Sequence, residues 1–465
     1  VLCFTLTLTL GIYAFYSQQQ IDFLSASAVP ITIFFLLLFV VKLGQEIPVK
    51  EVMILLTAVQ FLYSPFLAYY FYKPDPVYPM EVAADVYFTY AVPAVLLFAL
   101  GLYLFKQPTN LQYLPSILTH YNLGEVGKKL IIVGLLCDYI GQYLPGSIAF
   151  FILLISYFKF IGTYYLYFSE SRYRYLWIAA AFAPLIISNV SMGMFHDLLL
   201  WGLFTIIVFF IRKSTTTPLK KIAIVLACFL CVYYLNLVKG HYRQATWFSK
   251  KQYSMTDRFV VFGESVVKVL SGEGEPIRKK SKYSRTEEEQ NLTRLNQGVI
   301  VTRIMKHTGK REPFAKGETI VSAIEAALVP RFLNPNKARS GGRDTYTRFT
   351  GYALSSNTSI SLSLLGEGYA NYGYGGIYFM LFLGLFYGLI LNRLTLIAQD
   401  NPYLLLWIPF LFLMVIKAEE GFETVLNYLI KASFVLWLVY TFYLKRFTYR
   451  IENPKQSETK ALQYG

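Results

Sequence analysis

The chain is a series of apolar runs, each roughly 16 to 24 residues long, separated by short polar gaps. A helix needs about 20 apolar residues to cross roughly 30 Å of hydrocarbon, so runs of this length read as membrane spans. They fall near 1–16, 27–43, 51–72, 84–105, 129–144, 147–168, 175–190, 193–211, 219–239, 368–392, 402–417 and 427–444. That gives about 12 spans, with broken or re-entrant helices expected at the short runs 129–144 and 175–190. No stretch alternates with period two over about ten residues, which argues against barrel strands. The expected fold is an all-α polytopic membrane protein with one large, partly helical extracytoplasmic loop.

That loop is the only long polar interval. It divides the chain into an N-terminal transmembrane bundle (1–239), the loop (240–367), C-terminal transmembrane helices (368–444) and a cytoplasmic tail (445–465). The first residue is Val, and the first run lacks a basic leader and a small-residue cleavage site, so it reads as a mature helix. Alternate gaps differ in charge. One set holds Lys42, Lys50, Lys106, Lys128, Lys129, Arg172, Arg174, Arg212, Lys213, Lys220, Lys221 and Arg393, and the tail adds Lys445, Arg446 and Arg450. The opposite set is nearly free of basic residues. Positive charge gathers on the cytoplasmic side of membrane proteins, so both termini are expected there, with the long loop outside.

Composition agrees. Only 15% of residues are charged and 55% are hydrophobic, against about 25% charged in soluble domains. The net charge of +15 would suggest nucleic acid in a soluble protein, but here much of it sits in short orienting gaps, so no nucleic-acid partner is expected. Cys228 and Cys231 form a CxxC inside an aliphatic run with no second pair, which reads as packing.

Within the loop, residues 240–290 are polar and charged, and GEGEPIRKKSKYSRTEEEQ reads as a solvated surface or flap. The segment NLTRLNQGVIVTRIM has helical spacing. Its Arg294 and Arg303 lie nine apart, roughly 180° from each other on an ideal helix. ETIVSAIEAALV reads as a second amphipathic helix stopped at Pro330. PRFLNPNKARSGGRDTYTRF comes next, with the composition of irregular backbone around an anion.

Three blocks of this loop resemble the Wzy-type polymerases of bacterial surface polysaccharides, the oligosaccharide repeat unit polymerases. They are RLNQ followed by Arg303 and PFAKGETI, then LVPRFLNPNK, then GEGYANYGYGG entering a helix. Arg331 and Gly342 also fit an Arg-x10-Gly spacing of that family. The resemblance covers about 291–390 and otherwise span number, orientation and loop placement. It departs at SMGMFHDLLLW, where His196 and Asp197 stand in place of a family arginine.

The resemblance implies a GT-C-like scaffold in the bacterial inner membrane. It also implies transfer of a glycan chain from polyprenyl pyrophosphate to the hydroxyl of another lipid-linked repeat unit. Donor and acceptor would both be polyprenyl-pyrophosphate-linked oligosaccharides, with membrane lipid, a chain-length regulator and a flippase as further partners. The residues suit this independently. Arginine forks match phosphate oxygens and stay charged when half-buried. Arg331 is the first candidate, followed by Arg294, Arg303, Lys337, Arg339 and Arg343. Glu367 is the first candidate base, with helix capping or an ion pair as its structural alternative, and His307 and His241 rank after it. Tyr369, Asn371 and Tyr372 suit sugar contact or interface anchoring. Gly373, Gly375 and Gly376 suit a turn or close backbone approach. No acidic pair in the loop is placed for a metal, so no metal and no cofactor are expected. A ligase with the same scaffold is the near alternative. A flippase or transporter of lipid-linked sugars is the distant one, with Asp138 as its clearest mid-span charge.

Overall fold

The computed structural model describes all residues except 1, 18–20, 73, 74, 76, 106–113, 214–215, 248–251, 272–293, 330–341, 356–357 and 451–465. Among the described residues the chain is helical throughout, with no strand and only isolated bridges. Among the described residues, eight helices are long and apolar enough to cross a membrane. In chain order the principal helices begin with α1 (Phe23–Lys42), α2 (Val49–Tyr70), α3 (Ala84–Tyr103), α4 (Leu123–Gly141), α5 (Ile148–Phe168), α6 (Arg174–Met192), α7 (His196–Arg212), α8 (Pro218–Trp247) and α9 (Met255–Leu270). The later ones are α10 (Gly298–His307), α11 (Glu318–Leu328), α12 (Arg343–Thr350), α13 (Ser363–Tyr372), α14 (Gly376–Asp400) and α15 (Phe422–Val439).

Two helix pairs approach closely because glycines face each other. A Cβ on Gly384 of α14 would lie 2.3 Å from the Phe98 carbonyl oxygen of α3, and one on Gly101 would lie 2.5 Å from that of Leu381. Gly384 and Gly388 form a GxxxG step, which lets apolar helices touch backbone to backbone where lipid offers no hydrophobic drive. Gly127 and Gly162 do the same for α4 and α5. Between the latter helices Lys159 pairs with Asp138 at 2.5 Å, so the mid-span carboxylate of the transporter reading has a buried cation as its partner.

The expected span 402–417 takes another form. Residues 402–407 wind as a 3-10 helix, 408–412 form one short α-helix, and turns come after it. Pro402 and Pro409 each lack an N–H donor. Irregular backbone at membrane depth must be covered by protein, and Pro402 to Leu413 is buried throughout. Aromatic side chains do the covering: Trp407 Nε1 donates to the Tyr165 hydroxyl at 2.9 Å, and Phe158 meets the indole edge-on at 5.1 Å.

The kink in α2 receives the loop. Pro65 offers no N–H to the Phe61 carbonyl, which accepts instead from Tyr87 Oη at 2.8 Å. A π-turn over Val59–Tyr63 precedes it, and there the Gln60 carbonyl accepts from Gln297 N at 3.2 Å. Gly298 is next in the chain, and a Cβ there would lie 2.6 Å from Pro65. Helix α10 thus starts against the kink. The end of the bundle that carries these loop helices is called the loop end.

The flap read at 272–290 lies outside the described residues, but the polar stretch before it is helical. Helix α8 continues to Trp247, and α9 folds back against α8 and α6. Ser254 caps α9 reciprocally with Asp257, a start signal present in the sequence.

Gly384→Ala must push α3 and α14 apart, at a cost of about 1–3 kcal/mol. The thermal unfolding midpoint of the purified protein should fall. Gly202→Ala, whose Cβ meets nothing within 4 Å, should leave it unchanged.

Candidate functional site

The closing motif of the loop forms a joint. Glu367 is 5% exposed. Its Oε1 accepts from Thr319 Oγ1 at 2.8 Å, and its Oε2 from Phe422 N at 2.9 Å. Phe422 begins α15, so the carboxylate satisfies a helix N-terminal N–H that has no partner within its own helix. Asn371, one turn on, donates to Thr319 Oγ1 at 2.7 Å and accepts from Gly317 N at 2.9 Å. Tyr369 packs among Tyr90, Phe314 and Tyr374. Glu367, Tyr369 and Asn371, expected to meet substrate, therefore face the protein interior. The helix that Glu367 caps is α15, not the one that follows it in the chain. Tyr372 remains exposed. Gly373 has φ +57°, and a Cβ on Gly376 would lie 2.5 Å from the Gly368 backbone, so these glycines serve the turn and the close approach.

Arg303 also turns inward. It donates to Tyr346 Oη at 2.9 Å and to the Val77 carbonyl at 2.8 Å. Its guanidinium lies 4.4 Å from the Tyr352 ring centroid. Nearby, Glu81 pairs with Lys306 and accepts from Tyr352 Oη at 2.7 Å. Burial works against the Glu81 carboxylate, but the hydrogen bonds from Lys306 and Tyr352 outweigh it and hold its pKa below the usual range. This cluster ties residues 77–81 to α10 and α12. His307 packs its ring against Gly351. Arg343 is exposed at the start of α12. Arg331, Lys337 and Arg339 lie outside the described residues.

Arg294 lies elsewhere: the helix is interrupted at Asn296 and Gln297, and Arg294 stands before the break, outside α10. It is close enough to Lys239 and Arg243 of α8 for the three positive charges to act on one another. Among the described residues no carboxylate pairs with any of them. Arg243 is held in place, its Nε donating to the Gly193 carbonyl at 2.8 Å and its guanidinium 4.1 Å from the Trp247 ring centroid.

Acidic and mixed groups adjoin these cations. At the start of α7, Asp197 accepts from Lys417 at 3.3 Å, and His196 Nδ1 lies 3.7 Å from Glu419. Gln60 Nε2 donates to the other Glu419 oxygen at 2.9 Å. Burial pushes the Glu420 carboxyl above its usual pKa. Lys417 opposes this, while Glu419 and Asp197 add to it. Lys239 acts on His196, which joins the two groups. Residues from α2, α7, α8, the segment before α10 and the segment before α15 thus converge at the loop end. Sequence reasoning picks out Arg294, His196 and Asp197 but misses Lys239, Arg243 and Lys417. Their common signal is a charge within one turn of an apolar run's end, on the side opposite the basic gaps.

Chemically, the arrangement offers cations for a multiply charged anion beside a carboxyl poised to exchange a proton.

Glu367→Ala should lower stability by about 1–3 kcal/mol, because Thr319 and Phe422 N lose their acceptor. Glu367→Gln, which keeps one acceptor oxygen, should lose less. Equal midpoints for wild type and both variants would remove the joint role. The Glu81 tie gives a pH signature. A depressed folded pKa contributes stability above the unfolded value of about 4.3, and that stability is lost as pH falls through the folded pKa. The gap in unfolding midpoint between wild type and Glu81→Gln should therefore be full at pH 7 and close in acid.

Comparison with known proteins finds no matching family model, no matching curated protein and no matching solved structure.

Proposed function

We propose that the chain is a membrane glycosyltransferase that polymerises lipid-linked oligosaccharide repeat units for a bacterial surface polysaccharide. In this reading it lies in the inner membrane with about 12 spans on a GT-C-like scaffold, both termini cytoplasmic and the loop end outside. The observation that carries the reading is the gathering of Lys239, Arg243 and Arg294 without a carboxylate against them among the described residues. The resemblance of the loop blocks supplies the substrate class.

The acceptor hydroxyl oxygen attacks the anomeric carbon of the donor glycan. The bond from that carbon to the diphosphate oxygen breaks, and the diphosphate leaves with the electron pair. Lys239, Arg243 and Arg294 hold the charge that develops on it. Preorganised cations at such a centre are worth roughly 3–4 kcal/mol each by the precedent of single oxyanion donors. The hydroxyl proton passes to a neighbouring carboxylate. Glu420 is the candidate for this task, because burial raises its pKa and so makes it a stronger base than an exposed carboxylate.

The test is conversion of a purified lipid-linked repeat unit in proteoliposomes. Wild type should yield a ladder of longer lipid-linked chains with release of polyprenyl diphosphate. Arg294→Ala and Lys239→Ala should each lower turnover about 100-fold. Movement of the unit across the bilayer with no new glycosidic bond would replace the reading with a flippase. Transfer only to a different lipid acceptor would replace it with a ligase.

A further inference from the structure

Helices α8 and α9 enclose an apolar groove of about 420 Å³. Leu230, Tyr234, Leu235 and Val238 line it from α8, and Val266 and Val269 from α9. From Ala227 to Val238 its α8 wall runs ~16 Å at 1.5 Å per residue. One end of α9 is fixed: Arg258 donates to the Ser191 carbonyl, and Phe262 packs on Phe195 and Tyr242 at 5.4 and 5.7 Å. The other end stands open, with Val267 and Leu270 more than half exposed at 65% and 68%.

The groove does not end in more apolar surface. Leu235 lines it, and Lys239 and Arg243 come at i+4 and i+8, on the same ridge of α8. Arg294 joins them from the loop. A channel wall with almost no hydrogen-bonding group thus runs directly into three cations without a carboxylate partner among the described residues. That succession of surfaces fits an amphiphile with an apolar chain and an anionic head. Three cations exceed the single negative charge of a phosphodiester headgroup and suit a diphosphate better.

We infer that the α8–α9 groove holds the isoprenoid chain of a polyprenyl diphosphate lipid, with its diphosphate at Lys239, Arg243 and Arg294. The choice of an isoprenoid over a glycerolipid rests on the proposed function; the groove and its charged end do not. Helix α9 then acts as the outer wall of a lipid slot, entered from the bilayer past Val267 and Leu270.

A photoreactive polyprenyl diphosphate added to the full-length protein in nanodiscs tests this. Label should map to α8 between Ala227 and Val238 and to α9 between Val266 and Leu270. Unlabelled polyprenyl diphosphate should displace it, and phosphatidylglycerol at equal concentration should not. Val269→Trp, which fills the groove, should lower labelling about tenfold, as should the Lys239→Ala, Arg243→Ala pair. Label elsewhere, or equal displacement by phosphatidylglycerol, overturns the assignment in the wild-type protein, whatever the folding of the variants. Turnover measured alongside separates the two readings. Full turnover in a well-folded Val269→Trp protein overturns the slot and leaves the polymerase reading standing. Specific labelling of the slot without transfer of any lipid-linked glycan sustains the slot and overturns the polymerase reading.

Discussion

A carboxylate withdrawn from water must be met by donors on its own protein, or it destabilises the fold by several kcal/mol. Glu367 is such a group, and its donors come from parts of the chain far apart in sequence. Thr319 stands near the start of α11, and Phe422 N opens α15. Asn371 repeats the connection one turn along α13 by holding Gly317 and Thr319. The loop is thereby fastened to the bundle at one buried point. The segment just before Phe422 carries Lys417, Glu419 and Glu420, so the carboxylate that fixes α15 also fixes the charged side chains leading into it. The geometry at Asp197, His196 and Gln60 depends on that attachment.

The joint explains why a motif that reads as a site can be a support. In the sequence, a glutamate, a tyrosine and an asparagine at the boundary of an apolar run look like substrate contacts. Their spacing of four puts Glu367 and Asn371 on one helical face, but spacing does not say whether that face meets solvent or protein. Only the position of α11 decides it, and that position is a tertiary fact.

The spans were legible because hydrocarbon thickness imposes a length on the sequence. Segment 402–417 misled for the same reason: Pro402 and Pro409 interrupt a run whose composition is that of a span, and composition does not distinguish burial in protein from burial in lipid. Helix α9 was missed because its valines weaken helix propensity, and its charges disguise an apolar face. Ser254 and Asp257 announced its start. For the site, Arg294, His196 and Asp197 were visible singly. Lys239 and Arg243 read as the trailing end of a span, because convergence of α8 with the segment before α10 leaves no trace in local pattern.

Arg294 and Arg303 show how neighbours decide a role that residue type leaves open. They stand on either side of a helix break at Asn296 and Gln297. Arg303 is enclosed by aromatic rings, a carbonyl and a hydroxyl, with Glu81 close enough to act through Tyr352 and Lys306. Its two terminal nitrogens are already engaged. Arg294 meets Lys239 and Arg243. Two like charges 4 Å apart repel by ~1 kcal/mol in water and by ~4 kcal/mol near a protein surface. A fold that keeps three of them together retains a repulsion that an arriving anion relieves. The binding energy of that anion then includes the relief as well as the new contacts. In the proposed transfer the same balance would govern product release: a leaving diphosphate is held as strongly as it is stabilised, so its departure would be a step of the proposed cycle in its own right.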